Sequence, residues 1–222
     1  MKLADVYRLI EAQGPTYQGP PLEKGGTSIS AQGKPAPGID LLVGKGILKP
    51  GIKILDYGAG KYARNAKYLI QKGMDVVAVD KFNHNEQNGV LPDEAIDSQH
   101  FDVAFTSYVL NVIPESVEDE ILQKLDSIAD VQCHITRGND LLEFLAQSQE
   151  RKGYTYKWII ENVSGLDDET KRFSEGIAEK EDLMKLAHFG FATPRGFQRL
   201  PDLEEKGYNL TALGANRLFI KK

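Results

Sequence analysis

Residues 52–80 constrain this chain more than any other stretch; they read IKILDYGAGKYARNAKYLIQKGMDVVAVD. An apolar run over 52–55 ends in Asp56, and a glycine turn, Tyr57-Gly58-Ala59-Gly60, follows. A segment carrying Tyr68, Leu69 and Ile70 leads to a second apolar run over 76–79, which ends in Asp80. The order is strand, glycine loop, helix, strand, with an acid closing each strand. The two acids stand 24 positions apart, the span of one βαβ unit. Glycine permits the tight turn and a close approach of ligand to backbone, and the helix start offers free N–H groups. An acid at the second strand tip lies beside the first loop, where it can accept bonds from ribose hydroxyls. The unit therefore predicts a nucleotide-type pocket at the carboxyl edge of a parallel sheet.

Two ligand classes fit the loop. The dinucleotide fingerprint G-x-G-x-x-G/A is met with Ala63 in last place. Against it, Asp56 directly before the turn would oppose a pyrophosphate and suits a cationic ligand better. The phosphate loop ending in Gly-Lys-Ser/Thr is absent. The pattern of apolar strand, Asp56, Gly58 and Gly60 resembles motif I of the class I S-adenosylmethionine-dependent methyltransferases, and Asp80 matches that family's ribose-binding acid. One place departs from it: where the family often has a third glycine, this chain has Tyr62.

The stretch 101–114, FDVAFTSYVLNVIP, looks like the family's fourth strand and its exit. The resemblance covers roughly residues 40–222. It implies an α/β, Rossmann-like fold with a mostly parallel seven-stranded sheet and an antiparallel last strand. It implies S-adenosyl-L-methionine as cofactor, held by Asp56, Tyr57, Gly58, Ala59, Gly60, Asp80, Lys81, Ser107 and Tyr108. Tyr108 and Asn111 are the catalytic candidates, because the fourth strand exit is where this fold brings substrate to the methyl group. Thr136, Arg137 and Asp140 at the fifth strand exit can reach the same pocket, and an Arg-Gly-Asn turn capping a helix explains them equally well. Within the family, Tyr108–Ile113 resembles methyltransferase-like proteins found with DNA phosphorothioation systems, and Gly26–Ser30 is a loose echo of their Lys-Thr-x-x-Ser element.

The acceptor is not legible. The Pro-Cys motif of cytosine carbon methylation is absent, as is the Asp/Asn-Pro-Pro-Tyr/Phe clamp for amino groups. The expected activity is a methyltransferase acting on an unidentified acceptor. The alternative is a protein that binds the cofactor without transferring methyl, as a sensor, partner subunit or cofactor-degrading enzyme. Net charge is −5 and the pI about 5.5, which gives no electrostatic support for broad nucleic-acid binding and leaves a local patch open. Lys45, Lys49, Lys53, Lys61, Arg64 and Lys67 crowd near the loop in sequence, and they read first as a solvated helix face. His84, His100, His134 and His188 have no zinc-like spacing, so no metal is expected. Cys133, the one cysteine, sits in an expected strand and reads as a buried thiol. A single cysteine fits a reducing compartment. No apolar stretch approaches a membrane span and no signal-peptide core is present, so the expectation is a cytoplasmic protein without a membrane partner.

Two parts are expected along the chain. Residues 1–38 form an N-terminal helix (1–13) and an arm or lid; 14–38 hold five prolines and six glycines. Residues 39–222 form the cofactor-binding domain. Helices are expected over 39–47, 62–71, 115–129, 140–150 (capped by Asn139) and 179–188. A short third strand is expected at 89–91 and the fifth over 130–136; 154–163 reads as strand or insert. The last two strands are expected at 191–200 and 216–220, with 207–214 as their loop.

Overall fold

The computed structural model describes residues 34–113, 115–138, 141, 188, 191–193 and 196–222. The expected helix over 1–13, that over 140–150 except Leu141, that over 179–188 except His188, the segment 154–163, most of the arm and Asn139 lie outside the described residues.

Helix α1 (Pro37–Gly44) starts on a proline, whose missing N–H costs nothing in the first turn. It precedes the unit read from the sequence: β1 (Lys53–Tyr57), α2 (Arg64–Gln71) and β2 (Asp75–Val79). Then come β3 (Val90–Leu91), β4 (Phe101–Ser107), α3 (Glu115–Ile128) and β5 (Ala129–Arg137). The remaining strands are β6 (Phe191–Thr193), β7 (Gly196–Gln198), β8 (Asn209–Leu213) and β9 (Asn216–Lys221).

Seven strands form one sheet in the order β3-β2-β1-β4-β5-β9-β8. β1 to β5 pair in parallel, and β9 runs antiparallel to both β5 and β8. This is the mostly parallel sheet with a reversed last strand that was expected. The chain steps outward from β1 to β3, then crosses back to place β4 on the other side of β1. In open α/β sheets, that point of reversal is where ligands bind.

The last hairpin is built differently from the expectation. β6 and β7 make a separate two-stranded sheet, and the partner of β9 is β8, inside the stretch read as a loop. Gly207 and Gly214 suggested a continuous loop, yet they bracket a five-residue strand. Gly214, left-handed at φ 60°, opens the two-residue turn between Leu213 and Asn216.

Each sheet face has its own core. Ile54, Phe105, Cys133 and Ile135 pack with Ile39 and Leu42 of α1 and Leu69 of α2. On the other face, Leu55, Tyr57 and Ala104 pack with Leu125 and Ile128 of α3. Strands buried on both sides read as continuous apolar runs, which is why β1, β2 and β4 were visible in sequence. Cys133 is fully buried, and burial pushes its thiol up to about 12. Among the described residues, no helix is long and apolar enough to cross a membrane.

Candidate functional site at the strand reversal

The glycine loop is stitched to the end of β2. The N–H groups of Gly58 and Ala59 both donate to the Val79 carbonyl at 2.9 Å. The Gly60 N–H donates to Asp80 Oδ2 at 2.9 Å. Asp80 Oδ1 accepts the N–H groups of Phe82 (2.9 Å) and Asn83 (2.7 Å) and the Asn83 side-chain amide (3.2 Å). The acid read from sequence as a ribose acceptor pins two loops together in this structure. Oδ1 is saturated with donors, while Oδ2 has one and keeps acceptor capacity for a ligand hydroxyl.

Left-handed backbone occurs at Gly58 (φ 74°), Gly60 (φ 67°) and Ala63 (φ 46°). Tyr62 is not among these positions, so the departure from the third glycine puts no strain on it. Tyr62 is instead 44% exposed, with Lys61 and Arg64 over its ring. Ala63 is the N-cap of α2 and has no capping side chain.

Asp56 supplies the missing cap from a distance. It is fully buried, and its Oδ2 accepts the N–H of Ala66, the third residue of α2, at 3.2 Å. The one hydrogen bond shown for its carboxylate thus goes to the helix and not to the glycine turn. A fully buried carboxylate beneath a helix N-terminus uses the helix's own orphan donors. Its Oδ1 has no partner. Burial pushes the Asp56 carboxyl up to about 7; the Ala66 bond opposes that rise and the nearby Asp80 charge adds to it.

The sign of the resulting pH effect follows. Between about pH 4 and 7 the unfolded chain ionises Asp56 while the native chain keeps it protonated, so the native state loses stability as pH rises through that window. The loss is at most about 4 kcal/mol, complete above pH 7. The buried His134, lowered to about 3 by burial, works in the opposite direction as pH falls. The comparison of wild type with Asp56→Asn therefore isolates the acid. Relative to wild type, the variant should gain melting temperature as pH rises from 4 to 7. An offset constant over that range would show that Asp56 is ionised throughout.

The β4 exit completes the site. Asp56 pairs in register with Phe105, and Ser107 lies two residues further on, along the same sheet face. Ser107 Oγ is buried without a partner. Tyr108 is left-handed at φ 60°, which costs a bulky residue roughly 1–2 kcal/mol. Its N–H donates to the Ile135 carbonyl and its hydroxyl to Asn216 Oδ1, both at 2.8 Å. The ring therefore reaches across β5 toward β9, on the side of β4 away from the glycine loop.

Asn111 is also a tie. It is 1% exposed; its Oδ1 accepts the Arg137 N–H (2.8 Å) and its Nδ2 donates to the Arg199 carbonyl (2.8 Å). Arg199 is itself buried against Glu118 of α3 at 2.8 Å, and Lys206 bonds the other Glu118 oxygen. These contacts brace the β4 exit and do not bring the Asn111 amide to the loop. Thr136 is fully buried and donates to the Arg137 carbonyl. Tyr57 contributes only its backbone to the loop, since its side chain lies in the α3-facing core and its hydroxyl is raised by burial and Asp93. Ala59 packs with Ala63, Ala66, Ala78 and Val90. Lys81 is exposed, above the ring of Phe82.

The structure adds two residues to the set. Val109 packs on Gly58: a Cβ at that glycine would lie 2.3 Å from Val109 Cγ2. Arg64 has a buried Nη1 without a partner. Sequence gave no sign of Val109, because apolar contacts across strands leave no local pattern. Among the described residues four buried side-chain polar atoms lack partners, and three of them belong to Asp56 near the end of β1, Arg64 at the start of α2 and Ser107 at the end of β4. Buried polar groups are almost always satisfied, so these atoms single out the region as the candidate site. No described group of histidine, cysteine or acidic residues can hold a metal.

No family model and no curated protein matches the chain. Solved structures resemble it. The magnesium protoporphyrin IX methyltransferase ChlM from Synechocystis PCC 6803 with bound SAH is 16% identical over 82% of this chain and 78% of that one, with a TM-score of 0.47. The PH0226 protein from Pyrococcus horikoshii OT3 is 12% identical over 82% and 87%, with a TM-score of 0.48. A cyclopropane-fatty-acyl-phospholipid synthase-like protein from Lactobacillus casei ATCC 334 is 13% identical over 84% and 73%, with a TM-score of 0.43.

Proposed function

We propose that the chain binds S-adenosylmethionine at the carboxyl edge of β1, β2 and β4 and transfers its methyl group to an acceptor yet to be identified. The observation that carries this reading is the set of partnerless polar atoms on Asp56, Arg64 and Ser107, at the reversal of strand order. The residues present fit the cofactor. Asp80 Oδ2 retains acceptor capacity beside Gly60, as a ribose hydroxyl requires. Asp56 lies fully buried beneath α2, where it braces the start of the helix behind the glycine loop. A pyrophosphate on this loop would lie beside the Asp80 carboxylate, and that disfavours a dinucleotide.

The cofactor, when bound, supplies an already activated methyl on a sulfonium. What remains for the protein is alignment and exclusion of water. Asp80 fixes the nucleoside end, the glycine loop lets the ligand lie on the backbone, and Ser107 offers a hydroxyl at the β4 side. Tyr108 and Asn111 act in this reading as braces of the β4 exit.

That bracing also favours a second reading, in which the chain binds the cofactor and does not transfer methyl. Both catalytic candidates spend their polar groups inside the fold. Calorimetry with S-adenosylmethionine, its demethylated product and NAD separates the ligand classes. Micromolar binding of the first two without NAD is the expected result, and NAD binding alone would sink the proposal. Incubation with methyl-labelled cofactor and cell extract then distinguishes the two readings: label in a macromolecule or small acceptor supports transfer, and tight binding with no label transfer supports the second.

A further inference from the structure

The corner at the β4 exit is strained in a way that ligand binding alone does not require. A glycine at 108 would adopt φ 60° freely, yet the chain places a tyrosine there. Its N–H bonds Ile135 and its hydroxyl bonds Asn216 of β9, each at 2.8 Å. Strain that persists because its surroundings fix it is characteristic of functional sites. Here it sets the direction in which the chain leaves β4, and the next side chain, Val109, lands on Gly58. Val109 is β-branched, hence stiff at χ1, and a rigid stop where it stands.

The sheet order gives this contact a meaning. β1 lies between β2 and β4. A ligand whose ribose is held by Asp80 at the β2 tip crosses the β1 loop and brings its other end to the β4 corner. On the S-adenosylmethionine reading, on which this inference rests, the sulfonium is bonded to the ribose 5′ carbon, so its methyl stands over the β1 loop on the way to the β4 corner, where Val109 meets Gly58. We infer that Val109 is a specificity-determining residue: it limits the size of the alkyl group on the ligand's sulfur, and the Tyr108–Asn216 bond holds it to that task.

The test is calorimetry with S-adenosylmethionine and the analogue carrying propyl in place of methyl on sulfur. Wild type should bind the propyl analogue at least tenfold more weakly than the methyl form. Val109→Ala should reduce that ratio to threefold or less, whereas Val109→Thr, of the same shape, should keep it. Tyr108→Phe, which keeps the ring and removes the tie, should bring the ratio below half its wild-type value; this variant reads the inference independently if Val109→Ala does not fold. A tenfold ratio preserved in Val109→Ala and Tyr108→Phe, or no discrimination by wild type, overturns the role of Val109 while leaving the cofactor reading intact. If wild type binds neither S-adenosylmethionine nor its product, the cofactor reading itself has failed, and this inference falls with it.

Discussion

Asp80→Ala is expected to abolish measurable binding of S-adenosylmethionine and to lower the melting temperature by roughly 5–15 °C. The two losses share one cause. The carboxylate joins the glycine loop, through Gly60, to the turn after β2, through Phe82 and Asn83, in four hydrogen bonds. Hydrogen bonds to a charged acceptor are worth roughly 1.5–3 kcal/mol each, and water replaces some of them in the variant, so a net cost of about 2–4 kcal/mol is reasonable. For a chain of this length each kcal/mol lowers the melting temperature by roughly 2–4 °C. Asp80→Asn divides the two roles. Its oxygen can still accept from Phe82 and Asn83, but its amide turns a donor toward the Gly60 N–H and toward any ribose hydroxyl. It should melt within about 5 °C of wild type and bind the cofactor at least tenfold more weakly. Wild-type affinity in a folded Asp80→Asn protein would leave Asp80 a brace of the loop and nothing more.

The contrast between what Asp80 and Asp56 turned out to do explains how far the sequence could be read. Strands buried on both faces must be apolar throughout, so β1, β2 and β4 showed themselves, and the glycines and acids marked where they end. The order of strands and the reversal of β9 came from the resemblance rather than from any local pattern. The final hairpin was misplaced because β8, NLTAL, is short and lies between two glycines, and nothing in five residues says which strand they pair with. At the site, positions were legible and directions were not. Asp56 was placed correctly at the end of β1, but its carboxylate turns beneath α2 because Ala63 cannot cap that helix. Tyr108 and Asn111 stand at the β4 exit, yet their polar groups are drawn to Asn216, Arg137 and Arg199, partners 26 to 108 positions away. Such long-range ties leave no trace in the local sequence.

Gly58→Val should remove both ligand binding and much of the stability, and the reason is Val109 rather than the ligand. Gly58 has φ 74°, a conformation that costs a side chain roughly 1–2 kcal/mol, most for a β-branched one. Any Cβ there meets Val109 Cγ2 at 2.3 Å, and overpacking of that kind adds about 1–3 kcal/mol. The sum, roughly 2–5 kcal/mol, exceeds what most surface substitutions do and falls on the loop that the cofactor would touch. Loss of binding by Gly58→Val alone therefore does not distinguish a blocked ligand from a displaced loop. Gly58→Ala paired with Val109→Ala does. If the clash is the main cost, removing the Val109 methyls should restore about half of the stability lost by Gly58→Ala, leaving the backbone penalty. Strict additivity of the two substitutions in a double-mutant cycle would mean that Val109 does not constrain Gly58. If stability returns in the double variant while cofactor binding stays lost, the Cβ at position 58 itself occupies ligand space, and the glycine serves the ligand as well as the fold. Recovery of both would mean that Gly58 is required by Val109 alone, and that the cofactor rests on Gly60 and the loop beyond it.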